Sequence, residues 1–130
     1  MPTLSDSYEV IGRILAKLIL NGLRRQELEA KHVFSEQYPT GDDVHHFVDV
    51  MEWLRAEGLV TVLSQNIAGG YFGAQLTAKG IAAIEKGAFN GSTSIREAVE
   101  GKPGGLSAES YGKIGSLIGG LIGGFAQSAG

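Results

Sequence analysis

MEWLRAEGLVTVLSQNIAGGYFGAQLTAKGIAAIEK, residues 51–86, changes its hydrophobic period twice. Up to Glu57 the apolar residues keep helical spacing, continuing a stripe through Val44, Phe47, Val48, Met51 and Leu54. Gly58 suits the left-handed position that ends a helix. LVTVL, residues 59–63, is short and β-branched and reads as a strand. SQNIAGG is a turn, and YFGAQL, residues 71–76, is the returning strand. Thr77 then caps a further helix, AKGIAAIEK, closed by Gly87.

Toward the N-terminus, SYEVIGRILAKLILNG reads as a first helix, with Asp6 as N-cap and Glu9 as its capping partner. Tyr8, Ile11, Leu15, Leu18 and Ile19 share one face, and Asn21-Gly22 stops the helix. LRRQELEAKHVF is expected to form a second, short helix that turns Leu23, Leu28 and Val33 inward. Pro39 imposes an extended approach to the third helix, capped by Thr40 or Asp42. The expected fold class is mainly α with a small β-hairpin, an α+β arrangement.

Two pieces of the pattern are also found together in a known family. Leu54, Gly58, Leu59 and Val60 match a Leu-x-x-x-Gly-Leu-Val run, and Leu76, Thr77, Lys79 and Gly80 match Leu-Thr-x-Lys-Gly. The stretch from Ser7 to Gly87 thereby resembles the winged helix-turn-helix domain of MarR-like and PadR-like regulators. The resemblance implies a winged-helix fold with the third helix in the recognition position, and a DNA-binding regulator as one function. The acidic "DD…WLRAEG" helix, the wing, "LTAKG" and a Gly-rich tail also resemble small uncharacterised bacterial and phage-associated proteins, a likeness that implies no activity.

Three segments are expected: a winged-helix domain at 1–87, a Gly/Ser/Pro-rich linker at 88–106 and a Gly-rich apolar tail helix at 107–130. A short helix in STSIREAVEG interrupts the linker, and Ser107-Ala108-Glu109-Ser110 caps the tail. The tail is glycine-zipper-like. Gly115, Gly119 and Gly123 repeat every fourth residue, as do Ser116, Gly120 and Gly124 one position on. The six glycines from Gly112 to Gly124 weigh about 1 kcal/mol each against Ala in a helix interior, roughly 6 kcal/mol together, so this helix needs a packing surface.

Ile114, Leu117, Ile118, Leu121, Ile122 and Phe125 supply the apolar remainder, too dense for a plain linker. No charge follows Lys113. The 17 uncharged residues span about 25 Å as a helix, short of the roughly 20 mostly apolar residues that cross a bilayer. Self-association or docking on a protein partner through Gly112, Gly115, Leu117, Ile118, Gly119, Gly120, Leu121, Ile122, Gly123, Gly124 and Phe125 is therefore the leading expectation. Membrane insertion of the tail and packing on the winged helix itself stay open.

The 130 residues include no cysteine, which excludes disulfides, thiol nucleophiles and Cys-type metal sites. The start shows no signal-peptide pattern, and the expected location is cytoplasmic or membrane-peripheral. Net charge is −3, without the basic excess usual for phosphate binding. Arg13, Lys17, Arg24 and Arg25 form an early basic cluster, the candidate nucleic-acid contact under the regulator alternative. Against that alternative, the third helix carries Asp42, Asp43, Asp49 and Glu52, and the wing turn has no cation. DNA is disfavoured as a partner on those grounds.

Asp42 with His46, and His45 with Asp49, are spaced four apart, but the two pairs point to different faces and make no single metal site. His32 reads as a surface or capping residue. No nucleophile elbow or phosphate loop appears, and no catalytic residue, cofactor or small-molecule substrate is expected. The function expected from the sequence is a non-enzymatic protein-interaction or assembly module.

Overall fold

In the computed structural model, residues 2–34, 38–86 and 88–129 are described, with side chains described through Leu121. Helix α1 (Leu4–Leu20) is followed by strand β1 (Gln26–Leu28) and a 3-10 turn (Ala30–His32). Helix α2 (Gly41–Ala56) leads into β2 (Val60–Thr61), β3 (Ser64–Gln65) and β4 (Tyr71–Leu76). Helix α3 (Ala78–Lys86), a small hairpin of β5 (Ala88–Asn90) and β6 (Thr93–Ser94), α4 (Ile95–Glu100) and α5 (Ala108–Ala129) complete the chain. The architecture is mixed α+β, mainly helical, with small antiparallel sheets.

Three helices start on the same device. Thr3, Thr40 and Ser94 each accept from the backbone N–H three residues on, and Asp6, Asp43 and Glu97 accept from the cap N–H in return. The first cap is therefore Thr3, not Asp6: Asp6 is the third helical residue, and α1 begins earlier than the Asp6–Glu9 reading places it. The Thr3 backbone and hydroxyl donors hold the Asp6 carboxyl below its usual 3.8.

The expected second helix is absent. Residues 26–28 are extended and pair with β4 through Gln26↔Ala74 and Leu28↔Tyr71, and only Ala30–His32 turn helically. Gly22 at φ 61 redirects the chain, and Gln75 Nε2 donates to the Leu23 carbonyl at 2.6 Å. Alternation explains the preference: Glu27 faces solvent while Leu28 is buried, a strand pattern that a helical reading of Leu23, Leu28 and Val33 obscures. Leu28 and Val33 are in the core, and Leu23 is exposed.

The central strand is β4, flanked by β1 on one side and by β2 and β3 on the other. The expected strand 59–63 is two short pieces in one register, Val60↔Leu76 and Ser64↔Phe72. Between them Gly73 (φ 70) faces Leu63, whose Cδ1 would lie 2.6 Å from a Cβ at that position.

Within residues 88–106 the short helix α4 is anchored, while residues 101–105 are exposed. Ile95 and Val99 of α4 belong to the same hydrophobic cluster as α1, α2 and β4, and so do Ile114 and Ile118 of α5. Helix α1 accordingly packs against α5, α4, α2 and β4. That explains why its burial exceeds the single expected face, with Val10, Ile14 and Ala16 also enclosed.

Candidate interaction site

The motif residues around the end of α2 come together as a clasp. Gly58, at φ 77, donates to the Arg55 carbonyl at 3.0 Å, and Leu59 N–H donates to Leu54 at 2.9 Å. Thr77 then takes over: its hydroxyl donates to the Gly58 carbonyl and accepts from Gly80 N–H, while its own N–H donates to Leu59. Lys79 Nζ donates to the Glu57 carbonyl at 2.6 Å, a cation on a helix C-terminus. Gly80 lies so close that a Cβ there would be 2.3 Å from the Leu59 oxygen. These contacts join α2 to α3.

The outward residues of α2 include Asp42, His45, Asp49, Glu52 and Arg55. Arg55 is engaged by Glu52 at 3.0 Å and by Gln65 at 2.7 Å. Glu52 also accepts from Tyr71 at 2.9 Å; burial of the Tyr71 ring, with Glu52 beside it, pushes that phenol well above its ordinary pKa. His46 pairs with Ser7 Oγ at 2.9 Å and lies beside the Phe34 ring. Among the described residues no three His, Asp or Glu side chains gather as a metal site.

Two of the four basic residues are engaged within the chain. Arg13 bonds Glu9 at 2.8 Å and lies over the Tyr111 ring at 4.6 Å. Lys17 shares a groove with Arg13, His32, Gly104 and Tyr111. Arg25 reaches the Gly73 carbonyl at 3.4 Å, and Arg24 is exposed.

The tail helix divides by face. α1 and α5 run antiparallel and cross at two glycines, one from each helix. A Cβ on Gly12 would lie 2.0 Å from the Tyr111 carbonyl oxygen, and one on Gly115 would lie 2.0 Å from that of Tyr8. Such contact of backbone with backbone is what glycine permits. Gly119 follows against the Tyr8 ring, with 3.3 Å to Cε1. Ile114 and Ile118 are 0% exposed and Leu117 is partly buried. Tyr111 anchors the entry, its hydroxyl accepting from Leu106 N–H at 2.9 Å, and Lys113 lies over the Phe89 ring.

The opposite side is open. No described atom lies within 4 Å of a Cβ built at Gly112 or Gly120, and Ser116 between them is exposed. Of the expected tail contacts, then, Gly115, Ile118 and Gly119 are turned onto the chain's own α1, Leu117 partly so, while Gly112 and Gly120 face outward and Leu121 is half-buried. The side chains of Ile122 and Phe125, and the surroundings of Gly123 and Gly124, lie outside the described residues. Sequence reading missed Gly12 as the matching notch; a lone glycine inside a strong helical pattern is the signal that points to such a close approach.

Where α5 passes the start of α1, a groove of about 440 Å³ opens between α1 and α2. Leu4, Tyr8, Ile11, Val50, Trp53 and Gly119 line it. No described helix is long and apolar enough to cross a membrane. Compared with models of known families, with curated proteins and with solved structures, the chain matches none.

Proposed function

We propose that this chain is a non-enzymatic protein-interaction or assembly module: a winged-helix domain whose C-terminal helix offers its outer face and its far end to a second protein surface. The β1–β4–β2 sheet order, with α2 leading into the hairpin, supports the winged-helix reading. The observation that carries the function is the division of α5. Its inner face is consumed by α1, while Gly112, Ser116 and Gly120 stay open and the helix continues to Ala129 without a charge after Lys113. An uncharged helix rich in glycine gains little from water and much from a close-packed neighbour.

The acidic outer face of α2 favours a protein partner over DNA, since carboxylates there repel a phosphate backbone. A DNA-binding regulator is the second reading; it rests on the sheet order and on Arg13, Lys17, Arg24 and Arg25, two of which already have partners within the chain. The cytoplasmic or membrane-peripheral setting belongs to the same proposal. Light scattering on the full chain and on a chain ending at Leu121 tests it. The full chain should have the mass of an oligomer or retain a partner, and the shortened chain should do neither. Equal masses with no partner lost would remove the reading.

A further inference from the structure

We infer that the groove between α1 and α2 receives the end of α5 from a second copy of this chain, in a reciprocal two-fold exchange; this rests on the reading that the tail mediates self-association. The groove is mainly apolar, with Ser7, His46 and Asp49 as its polar edge. Leu4 stands 66% exposed at its mouth, and Trp53, the only tryptophan of the chain, is half-buried in its wall. A half-covered indole beside an exposed leucine is the kind of anchor that interfaces complete.

Two features select the occupant. The first is chemistry: the residues of α5 from Ile114 onward are uncharged, so the helix can enter an apolar groove without stranding an ion. The second is placement. Tyr111 is level with Gly12 and Gly115 with Tyr8, so this antiparallel register sets residue 119 level with Leu4, the first residue of α1. Ten residues of α5, 120–129, follow, about 15 Å of helix. Gly119 is both the point where α5 leaves its own α1 and part of the groove wall. A tail that leaves beside its own groove and enters the partner's brings the two grooves together about a two-fold axis, so one contact pattern fills both and closes the assembly.

The test uses the full chain, the chain ending at Leu121, and Leu4→Glu, read by light scattering and by acrylamide quenching of Trp53. Leu4 is exposed at the helix start, so Leu4→Glu leaves the core intact, checked by circular dichroism. The expected result is a dimer whose Trp53 is shielded, with both variants falling to half the mass and losing that shielding. If the shortened chain becomes monomeric while Leu4→Glu stays dimeric with Trp53 shielded, tail-mediated association stands and the groove is not its site. A full chain that is monomeric at every concentration overturns both. Shielding of Trp53 that appears only with anionic phospholipid vesicles makes lipid the occupant and overturns the exchange.

Discussion

Gly115 meets Tyr8 backbone to backbone: a Cβ at Gly115 would sit 2.0 Å from the Tyr8 carbonyl oxygen. No rotamer change relieves that clash, because the obstacle is main chain. Gly115→Ala should therefore force α5 away from α1 and destabilise the protein by about 1–3 kcal/mol. Gly112→Ala, with open space around it, should instead stabilise by up to about 1 kcal/mol through helix propensity. Urea unfolding of the two variants side by side checks this, and equal effects would show that the crossing is not tight.

Cutting the chain after Gly105 should unfold it rather than release a monomer. Ile114 and Ile118 lie in the common core, each contributing about 1.5–3 kcal/mol of burial, and their loss uncovers α1 as well. Against a total stability of about 5–15 kcal/mol this is severe. Ending the chain at Leu121 should leave a cooperative melt, lowered only by the stabilisation that association supplies to the full chain. Circular dichroism melts of both truncations distinguish the two outcomes.

The clasp between α2 and α3 should be graded. Thr77→Val leaves the Gly58 carbonyl and the Gly80 N–H without their partner and should cost about 1–2 kcal/mol. Gly80→Ala should cost about 1–3 kcal/mol by overpacking. Lys79→Met removes one exposed cation from a helix end and should cost under about 1 kcal/mol. Thermal denaturation ranks the three; Lys79→Met as the worst would contradict the packing account.

Stability should fall on mild acidification through His32. Partial burial, and then the nearby Lys17, hold this imidazole below its usual 6.5. Its Nδ1 also accepts from Glu29 N–H at 3.0 Å, which requires that nitrogen to be unprotonated. A base with a depressed folded pKa binds its proton more readily when unfolded, so stability is full above about pH 6.5 and declines as pH drops toward the folded value. His32→Asn keeps an acceptor and removes the titration. The slope of unfolding free energy between pH 7 and 5 should be shallower in that variant; an unchanged slope would place the effect elsewhere.

Duplex DNA should not be held in a salt-dependent manner. Arg13 and Arg25 are tied to Glu9 and Gly73, and the outer face of α2 is acidic. Fluorescence anisotropy at low salt should show no binding that Arg24→Ala with Arg25→Ala abolishes. Binding that does disappear in that double variant would favour the regulator reading.

Local chemistry made part of this structure legible. The stripe Phe47, Met51 and Leu54 is buried as its spacing requires, and Gly58 takes the left-handed position. Thr40, Thr77 and the short helix in STSIREAVEG also appear where their residue types place them. Strand β1 was not legible, because a three-residue strand is stabilised by pairing with β4, whose sequence is more than forty residues away. The anchoring of α4 within 88–106 was hidden for a related reason. The Gly and Pro content of that stretch describes loops, whereas Ile95 and Val99 become core only once α1 is there to receive them.

By itself, then, the sequence determined most elements whose signals lie within one or two turns of chain: the caps at Thr40 and Thr77, the glycine stop at Gly58, the hairpin, and the need of the tail helix for a close neighbour. Periodicity and capping are short-range physics and can be read residue by residue. Only the tertiary structure decided which neighbour the inner face of that helix has. Gly12 and Gly115 are about a hundred residues apart, and each is simply a poor helix former until the two helices cross. The close approach exists because both notches lie at one crossing, a coincidence in space that spacing along one helix cannot express.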